Sequence, residues 1–311
     1  KYIADNFAEY KGDLFSVFMY HNFSFCTPDG YSAFMTPNVW MFIKSYEALR
    51  KYIINYKGIS SLIQMAKGAF FKEATVDICS FVLHNSHNDL GDFIRLEDFK
   101  GDMEVQKQKV LEALADKSCG YYYETDQTNF SKIPGFPIAY WVSENLLASF
   151  TNGNRLGNIA DSKQGIATAD NNKYLRLWYE VSVENVKFDA KTHEEASLCS
   201  EKWYPYNKGG EFRKWYGNND FVVNWYRDGK DLRNDRKAVL RNRPFYFKPC
   251  FSWSLVTSSV AAFRYKPMGH IFDVAGMSCF SQTNLLYLLA LCNTKVVMKI
   301  LEIIAPTINY Q

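Results

Sequence analysis

The stretch SYEALRKYIINYKGISSLIQM, residues 45–65, decides the fold class. Its first half carries apolar residues at helical spacing behind Ser45, a candidate N-cap, and Gly58 ends that pattern. Its second half, 59–65, has the composition of a strand. A helix that leads directly into a strand is the repeating step of an α/β sheet.

The neighbouring segments extend this sheet. The pattern predicts a mostly buried helix over 13–25, a strand over 31–37 that Pro37 stops, and another strand over 74–84. Helix, strand, helix, strand, strand is the end of an α/β sheet whose last strand is antiparallel. An exposed amphipathic helix is predicted farther on, over 103–116.

A domain boundary is predicted near residue 120, because the apolar pattern weakens over 85–126. This gives a first domain, 1–120, and a second, 121–311. Short apolar runs broken by Gly, Asn, Asp and Pro predict that the second domain is compact and β-rich. Helices are predicted within it over 137–150, with Pro137 at the first helical position, and over 284–306 at the end.

Composition excludes several protein classes. The chain has 311 residues, of which 47% are hydrophobic and 22% are charged, as in globular proteins. Its seven cysteines lack CxxC spacing, which argues against a zinc site or a disulfide framework and favours the reducing cytoplasm. The first residues lack the apolar core of a signal peptide. The longest apolar run, 285–292, is far shorter than the roughly 20 residues that span a bilayer.

Positive charge is concentrated in residues 202–251. This segment holds twelve Lys and Arg, five Asp and Glu, and thirteen aromatic rings, although the net charge of the chain is only +3. Cations neutralise phosphates and rings stack on bases. A β-domain also needs an aromatic core and carries solvent-facing Lys and Arg. The local excess of one sign favours nucleic-acid binding.

Autonomous catalytic machinery is not evident. The sequence contains no G-x-G-x-x-G after a strand, no P-loop, no H-E-x-x-H and no G-x-S-x-G. No pair of carboxylates has a spacing that selects it for acid/base chemistry.

Several stretches resemble one family. Residues 13–53 resemble the later motifs of amino-group adenine DNA methyltransferases of the TaqI-like class, and 164–181 resemble the opening of their target-recognition domain. Further stretches are most similar to the methyltransferases of bacterial phage-exclusion (BREX) systems: 133–144, 202–225, 244–254 and 305–311.

The resemblance implies the C-terminal part of a doubly wound α/β methyltransferase sheet, followed by a mixed, β-rich target-recognition domain with a C-terminal helix. It implies that the enzyme flips an adenine out of double-stranded DNA and methylates its exocyclic amine from S-adenosylmethionine, without a metal or a membrane. Other phage-defence proteins are further candidate partners. The family's Gly-rich cofactor loop and N-P-P-Y motif are missing here, so we expect this chain to be a fragment of the enzyme that lacks its N-terminal part. We expect the fragment to be inactive alone.

The resemblance also implies roles in the first domain. Asp13 and Phe18 match positions near the cofactor, and Phe71 matches the ring that stacks on the flipped adenine. For both phenylalanines, plain core packing is the alternative.

The DNA-binding candidates form two groups. The first borders Gly165: Lys163, Gln164, Thr168, Asn171, Asn172 and Lys173. These side chains can read base edges or hold phosphates, although 170–172 could equally form a simple β-turn. The second surrounds the Gly209–Gly210 pair: Lys208, Arg213 and Lys214. Nearby rings are interpreted as walls of the domain: Trp203, Tyr204, Trp215 and Tyr216. Arg241 and Arg243 are weaker candidates in a solvated loop.

Two other functions remain open from the sequence. A non-catalytic specificity subunit of a restriction-modification system would share the recognition fold, but it would not need the α/β pattern of residues 1–84. A protein-interaction scaffold would use all the rings as core. Affinity for duplex DNA, measured across a salt series, distinguishes the scaffold from the two DNA-binding hypotheses, the methyltransferase and the specificity subunit.

Overall fold

The computed structural model describes residues 1–70, 76–257, 260–281 and 284–305. The chain forms two compact units, Lys1–Gly153 (unit 1) and Asn154–Gln311 (unit 2). Both mix helices with sheets, so the α/β class is confirmed.

Unit 1 is built on a mixed sheet, to which the described residues contribute five strands in the order β1-β3-β2-β4-β5. The strands are β1 Tyr31–Pro37, β2 Gly58–Gln64, β3 Ile78–His84, β4 Leu90–Arg95 and β5 Tyr122–Asp126. Strand β3 pairs antiparallel with both β1 and β2, which confirms the predicted antiparallel strand. Strand β4 pairs parallel with β2 and was not predicted, since its apolar residues are interrupted by Gly91, Asp92 and Arg95.

The described helices of unit 1 follow the predicted pattern, except that the first was not predicted and two others need correction. They are α1 Tyr2–Asn6, α2 Leu14–Asn22, α3 Glu47–Tyr56, α4 Met103–Ala115 and α5 Glu144–Asn152. Helix α3 is preceded by a 3-10 turn, Lys44–Tyr46, so Tyr46 and not Ser45 is its N-cap. The helix predicted from Pro137 begins only at Glu144, because the amide of Ile138 donates to the Met41 carbonyl and the segment packs irregularly against the core.

Arg50 ties the core of unit 1 together. Its side chain is fully buried on α3. Its Nη1 donates to the carbonyl oxygens of Trp40 at 2.7 Å and Ile43 at 2.8 Å. Its Nε and Nη2 both donate to the Gly135 oxygen, at 3.0 and 2.7 Å. The guanidinium therefore joins α3 to the turns that pack beside it.

Unit 2 contains short strands, as predicted. The described residues form two four-stranded sheets, in the orders β11-β10-β13-β6 and β12-β8-β9-β7. The strands are β6 Asp161–Lys163, β7 Leu175–Leu177, β8 Trp203–Asn207, β9 Phe221–Asn224, β10 Cys250–Ser252, β11 Arg264–Lys266, β12 Ile271–Phe272 and β13 Ser278–Phe280. The helices are α6 Asn171–Tyr174, α7 His193–Leu198, α8 Tyr226–Asn234, α9 Leu285–Cys292 and α10 Lys295–Ile304.

The prediction of a single helix over 284–306 is wrong, because the segment forms two helices, α9 and α10, with a break between them. The Asn293 amide donates to the carbonyl oxygens of Phe263 and Leu289, and the Thr294 hydroxyl caps α10 by accepting from the Val297 amide. Residue 306 lies outside the described residues.

The two units divide between Gly153 and Asn154. Residues just beyond 120 belong to unit 1, because β5 pairs with β4 there. The functional division at residue 120 stays a prediction. In the part of the chain that the structure describes, no helix is long and apolar enough to cross a membrane.

Candidate nucleic-acid interface

The segment Lys208–Asp220, here called loop 208–220, connects β8 to β9 and holds one group of predicted DNA contacts. Strand β8 buries Trp203 and Tyr204, which confirms that they are walls of the unit. Trp215 and Tyr216 are 53% and 67% exposed, so the same interpretation is wrong for them. They lie on the loop instead of a strand, and their rings face solvent.

A buried lysine anchors the end of this loop. Lys266 on β11 is 1% exposed, and its Nζ donates to the carbonyl oxygens of Gly217 and Asn218, both at 2.8 Å, and to Asn219 Oδ1 at 2.5 Å. Burial lowers the pKa of Lys266 to about 7. The Lys266 side chain therefore fixes the C-terminal end of loop 208–220 to β11.

The Gly209–Gly210 pair serves the packing of the protein itself. Both residues have positive φ, 92° and 129°. A Cβ on Gly209 would lie 2.8 Å from the carbonyl oxygen of Ala275, and one on Gly210 would lie 3.1 Å from Asn218 Nδ2. Close approach of these neighbours explains the pair without a phosphate.

The three cations around this pair have different environments. Lys208 Nζ lies 3.7 Å from the buried Asp273 carboxylate, and its side chain is only 25% exposed. Lys214 Nζ donates to the Asn293 carbonyl at 3.4 Å, at the end of α9. Arg213 is exposed, and no ion pair joins it to any residue within the described ranges. Arg213 is thus the cation that the loop presents to solvent.

The candidates bordering Gly165 are held by local bonds. Lys163 Nζ lies 2.7 Å from Asp161 Oδ1. The Gln164 carbonyl accepts from Asn242 Nδ2 at 2.9 Å. Thr168 is 3% exposed and donates to Asn171 Oδ1 at 2.7 Å, so its hydroxyl is turned inward.

The following residues form a one-turn helix and not the simple β-turn that was the alternative to a DNA contact. Asp170 caps α6 by accepting from the amide of Lys173 at 3.1 Å. Lys173 Nζ lies 3.4 Å from Asp235, which also accepts from Tyr174 Oη at 2.8 Å. Asn171 and Asn172 are exposed. Whether this group touches DNA stays a prediction.

In unit 1, Asp13 and Phe18 lie on or beside α2. Asp13 is its N-cap, accepts from the Leu14 amide at 2.5 Å and donates its own amide to Ser16 Oγ at 3.4 Å. Phe18 is 59% exposed and Leu14, one turn earlier, is 54% exposed, so core packing does not account for Phe18 within the unit. Phe71 lies outside the described residues.

A buried charged network in unit 2 was not predicted from sequence. Asp228, 6% exposed, accepts from Trp225 Nε1 at 3.1 Å and Arg243 Nη2 at 2.6 Å, and its Oδ1 lies 2.5 Å from His193 Nδ1. His193 Nε2 lies 3.0 Å from the Arg243 carbonyl oxygen. Arg243 therefore does not belong to a solvated loop. No local sequence motif predicts this network, because His193, Asp228 and Arg243 are far apart in sequence.

The network makes the stability of unit 2 depend on pH. The hydrogen bond with Asp228 raises the pKa of His193 above its ordinary value of 6.5. A raised pKa means that the contribution is fully present below pH 6.5 and is lost as pH rises through the higher folded value. We expect the thermal midpoint to fall across this window, and the fall to be smaller in His193→Gln. A calorimetric series over pH checks it, and equal pH profiles for the two proteins would contradict it.

The chain has relatives in sequence along its whole length. Residues 1–71 match the model of the Eco57I restriction-modification methylase family. The chain is 34% identical to the adenine-specific methyltransferase PglX of Lacticaseibacillus casei (strain Zhang), with all of this chain and 27% of PglX covered. It is also 34% identical to the adenine-specific methyltransferase BrxX of Escherichia coli O9:H4 (strain HS), with all of this chain and 25% of BrxX covered.

Two solved structures match at low identity. One is the type IIL restriction-modification enzyme MmeI in complex with DNA, with a TM-score of 0.48, 11% identity, and coverage of 88% of this chain and 36% of that chain. The other is the DrdV–DNA complex, with a TM-score of 0.47, 10% identity, and coverage of 86% and 31%. Because the 34% sequence identity runs along the entire chain, this chain belongs to the family of the PglX and BrxX adenine-specific methyltransferases and spans about a quarter of their length.

Proposed function

We propose that this chain is part of a cytoplasmic DNA methyltransferase that methylates the exocyclic amine of adenine at a specific site, in phage defence or restriction-modification. The observation that carries the proposal is the identity of 34% along the whole chain to two adenine-specific methyltransferases. The match of residues 1–71 to a methylase family favours an enzyme over a non-catalytic specificity subunit. Double-stranded DNA is the proposed partner, together with other phage-defence proteins.

In this proposal, unit 1 contributes to the cofactor and adenine pockets. S-adenosylmethionine supplies the methyl group when it is bound. The ring of Phe18 fits that cofactor, because more than half of it is exposed and offers a face on which an adenine ring can stack. The Asp13 carboxylate is exposed at the N-terminus of the same helix and keeps acceptor capacity for a ribose hydroxyl. Phe71 is proposed to stack on the flipped adenine.

Unit 2 contributes DNA recognition in this proposal, mainly through loop 208–220. The loop presents the exposed guanidinium of Arg213, which has no ion-pair partner among the described residues, near the exposed rings of Trp215 and Tyr216. Such a surface suits a polyanion whose bases and sugars have apolar faces. Lys208 and Lys214 support the loop through their contacts with Asp273 and Asn293. The group from Lys163 to Lys173 is proposed as a second, weaker contact.

Arg213→Ala tests this surface. We expect it to weaken binding to duplex DNA and to reduce the slope of log affinity against log salt by about 1, because one phosphate contact is lost. Lys208→Ala should change the slope less, because its ammonium already lies beside a carboxylate. Fluorescence anisotropy across a salt series measures both effects.

The matched control is Arg155→Ala, which removes an exposed arginine of unit 2 outside the basic segment. Wild-type protein without affinity for duplex DNA even at low salt would overturn the proposed recognition function. Equal slopes for Arg213→Ala and Arg155→Ala would remove Arg213 from the interface.

A further inference from the structure

Strand β11 carries two buried basic side chains that lack acidic partners among the described residues. Arg264 and Lys266 are each 1% exposed, and no carboxylate within the described ranges forms an ion pair with either. Lys266 has three oxygen acceptors, as described above. Arg264 has fewer, because Nη2 donates to Ser254 Oγ at 3.0 Å and Nη1 to the Ala262 oxygen at 3.4 Å, while Nε has no acceptor.

Arg50 shows what a structural buried arginine looks like in the same chain. All three of its nitrogens donate, through four hydrogen bonds to three carbonyl oxygens. A buried charge is costly unless it is paired or fully hydrogen-bonded. Arg50 comes close to that condition, because its guanidinium has five N–H donors and makes four hydrogen bonds, whereas Arg264 makes two. Burial lowers the pKa of both side chains to about 10, so each remains charged at neutral pH.

The under-bonded arginine lies at a crevice beside loop 208–220. The crevice is lined by Arg264 and by residues of the loop and of the segment that precedes β11: Gly210, Glu211, Phe212, Ser254, Thr257, Val260 and Ala262. Its interior has space for about one water-sized group. Ser254 Oγ donates to the Gly210 carbonyl at 2.8 Å while it accepts from Arg264, which fixes the crevice to the loop.

We propose that this crevice is an anion site that takes one phosphate oxygen, with the Arg264 guanidinium as the binding cation. The proposal rests on the proposed function, since it assigns the phosphate to the backbone of DNA lying on loop 208–220. A guanidinium suits phosphate because it can donate more than one hydrogen bond in a fixed plane.

The surroundings favour a phosphodiester over a free phosphate ion. Phe212 at the crevice is 49% exposed, and the same loop exposes Trp215 and Tyr216. These rings can pack against a ligand that is extended and has apolar surface. A nucleic acid has such surface and an isolated ion does not. Glu211 also lines the crevice and repels any anion there, so binding needs further contacts that offset the repulsion, which a nucleic acid can make and an isolated ion cannot.

The Nε–H of Arg264 is a suitable reporter, because it is buried within the guanidinium and has no acceptor among the described residues of the free protein. In NMR spectra of the full chain, assigned by comparison with Arg264→Lys, we expect its resonance to shift downfield and saturate as duplex DNA is added. Inorganic phosphate should shift it only at much higher concentration. Saturation at equal concentrations of both ligands would assign the site to the free ion. No shift with either ligand would overturn the site.

The affinity of Arg264→Met gives an independent readout. We expect a loss on the order of tenfold for duplex DNA at low salt, with a salt slope reduced by about 1. Its thermal midpoint should not fall, because the variant replaces an under-bonded buried charge with an apolar side chain. Glu211→Gln should bind DNA more tightly, and Arg155→Met is the matched control for losing one cation.

The outcomes separate this proposal from the proposed function. If the wild type binds DNA and Arg264→Met has the same affinity and salt slope as the wild type, the anion site is contradicted and the DNA-recognition function is not. If Arg264→Met loses affinity only together with thermal stability, and the Arg264 Nε–H of the wild type does not shift with DNA, the residue is structural and the anion site is contradicted. If the Nε–H shifts with inorganic phosphate but the wild type does not bind DNA, the anion site stands and the recognition function falls.

Discussion

Gly165→Ala is expected to destabilise unit 2 by about 3 kcal/mol or more, because a Cβ at this position would overlap the carbonyl oxygen of Phe272. The backbone cannot simply move away, since the Ile166 amide donates to that same oxygen at 2.8 Å. The glycine at the opening of the predicted recognition motif is thus required by the fold. Urea unfolding followed by hydrogen exchange at peptide resolution reports the loss for unit 2 separately.

Gly157→Ala is the control for this change. Gly157 is in the same unit, and nothing lies within 4 Å of the position that its Cβ would occupy. We expect its substitution to change stability by less than about 1 kcal/mol. If the two variants were equally stable, the close approach of Gly165 to Phe272 would be contradicted.

Arg50→Met is expected to destabilise unit 1 by about 3 kcal/mol or more. The buried carbonyl oxygen of Trp40 and the partly buried oxygens of Ile43 and Gly135 would lose their donors, and each buried unsatisfied group costs about 1–3 kcal/mol. Lys51→Met is the matched control, because it removes the same charge from the next position of α3, where the side chain is 46% exposed and pairs with Glu47. That pair is worth at most about 1 kcal/mol.

The same unfolding and exchange experiment measures both variants. The exchange protection of α3 should fall sharply in Arg50→Met and stay close to wild type in Lys51→Met. Equal protection in the two variants would show that the carbonyl contacts of Arg50 contribute little.

Local patterns were enough to predict the centre of unit 1. The helix and strand within 45–65 were placed within two residues, because their spacing and the glycine between them are local signals. Strand β4 was missed because polar residues interrupt its apolar pattern. Its backbone pairing with β2 and β5 is what makes it a strand, and a local pattern does not show that pairing. The break between α9 and α10 was missed because it depends on Asn293 reaching Phe263, a contact that spacing does not encode.

The candidate interface was only partly predictable. The density of charge in 202–251 located loop 208–220, and Trp203 and Tyr204 are both inside because β8 is buried on both of its faces. Which cation stays exposed depends on distant partners such as Asp273 for Lys208. Buried cations are rare, so a sequence pattern assigns residues such as Arg264 and Lys266 to the surface. Only the packing of β11 under the loop shows that they lie inside.

Adenine methylation of the host genome decides whether the proposed function holds. Single-molecule sequencing should compare a host that carries the intact gene encoding this chain with the same host after deletion of that gene. The proposed function predicts methylated exocyclic amines of adenine at one recurring sequence motif in the first host and their loss in the second. Identical adenine methylation in the two genomes would contradict it.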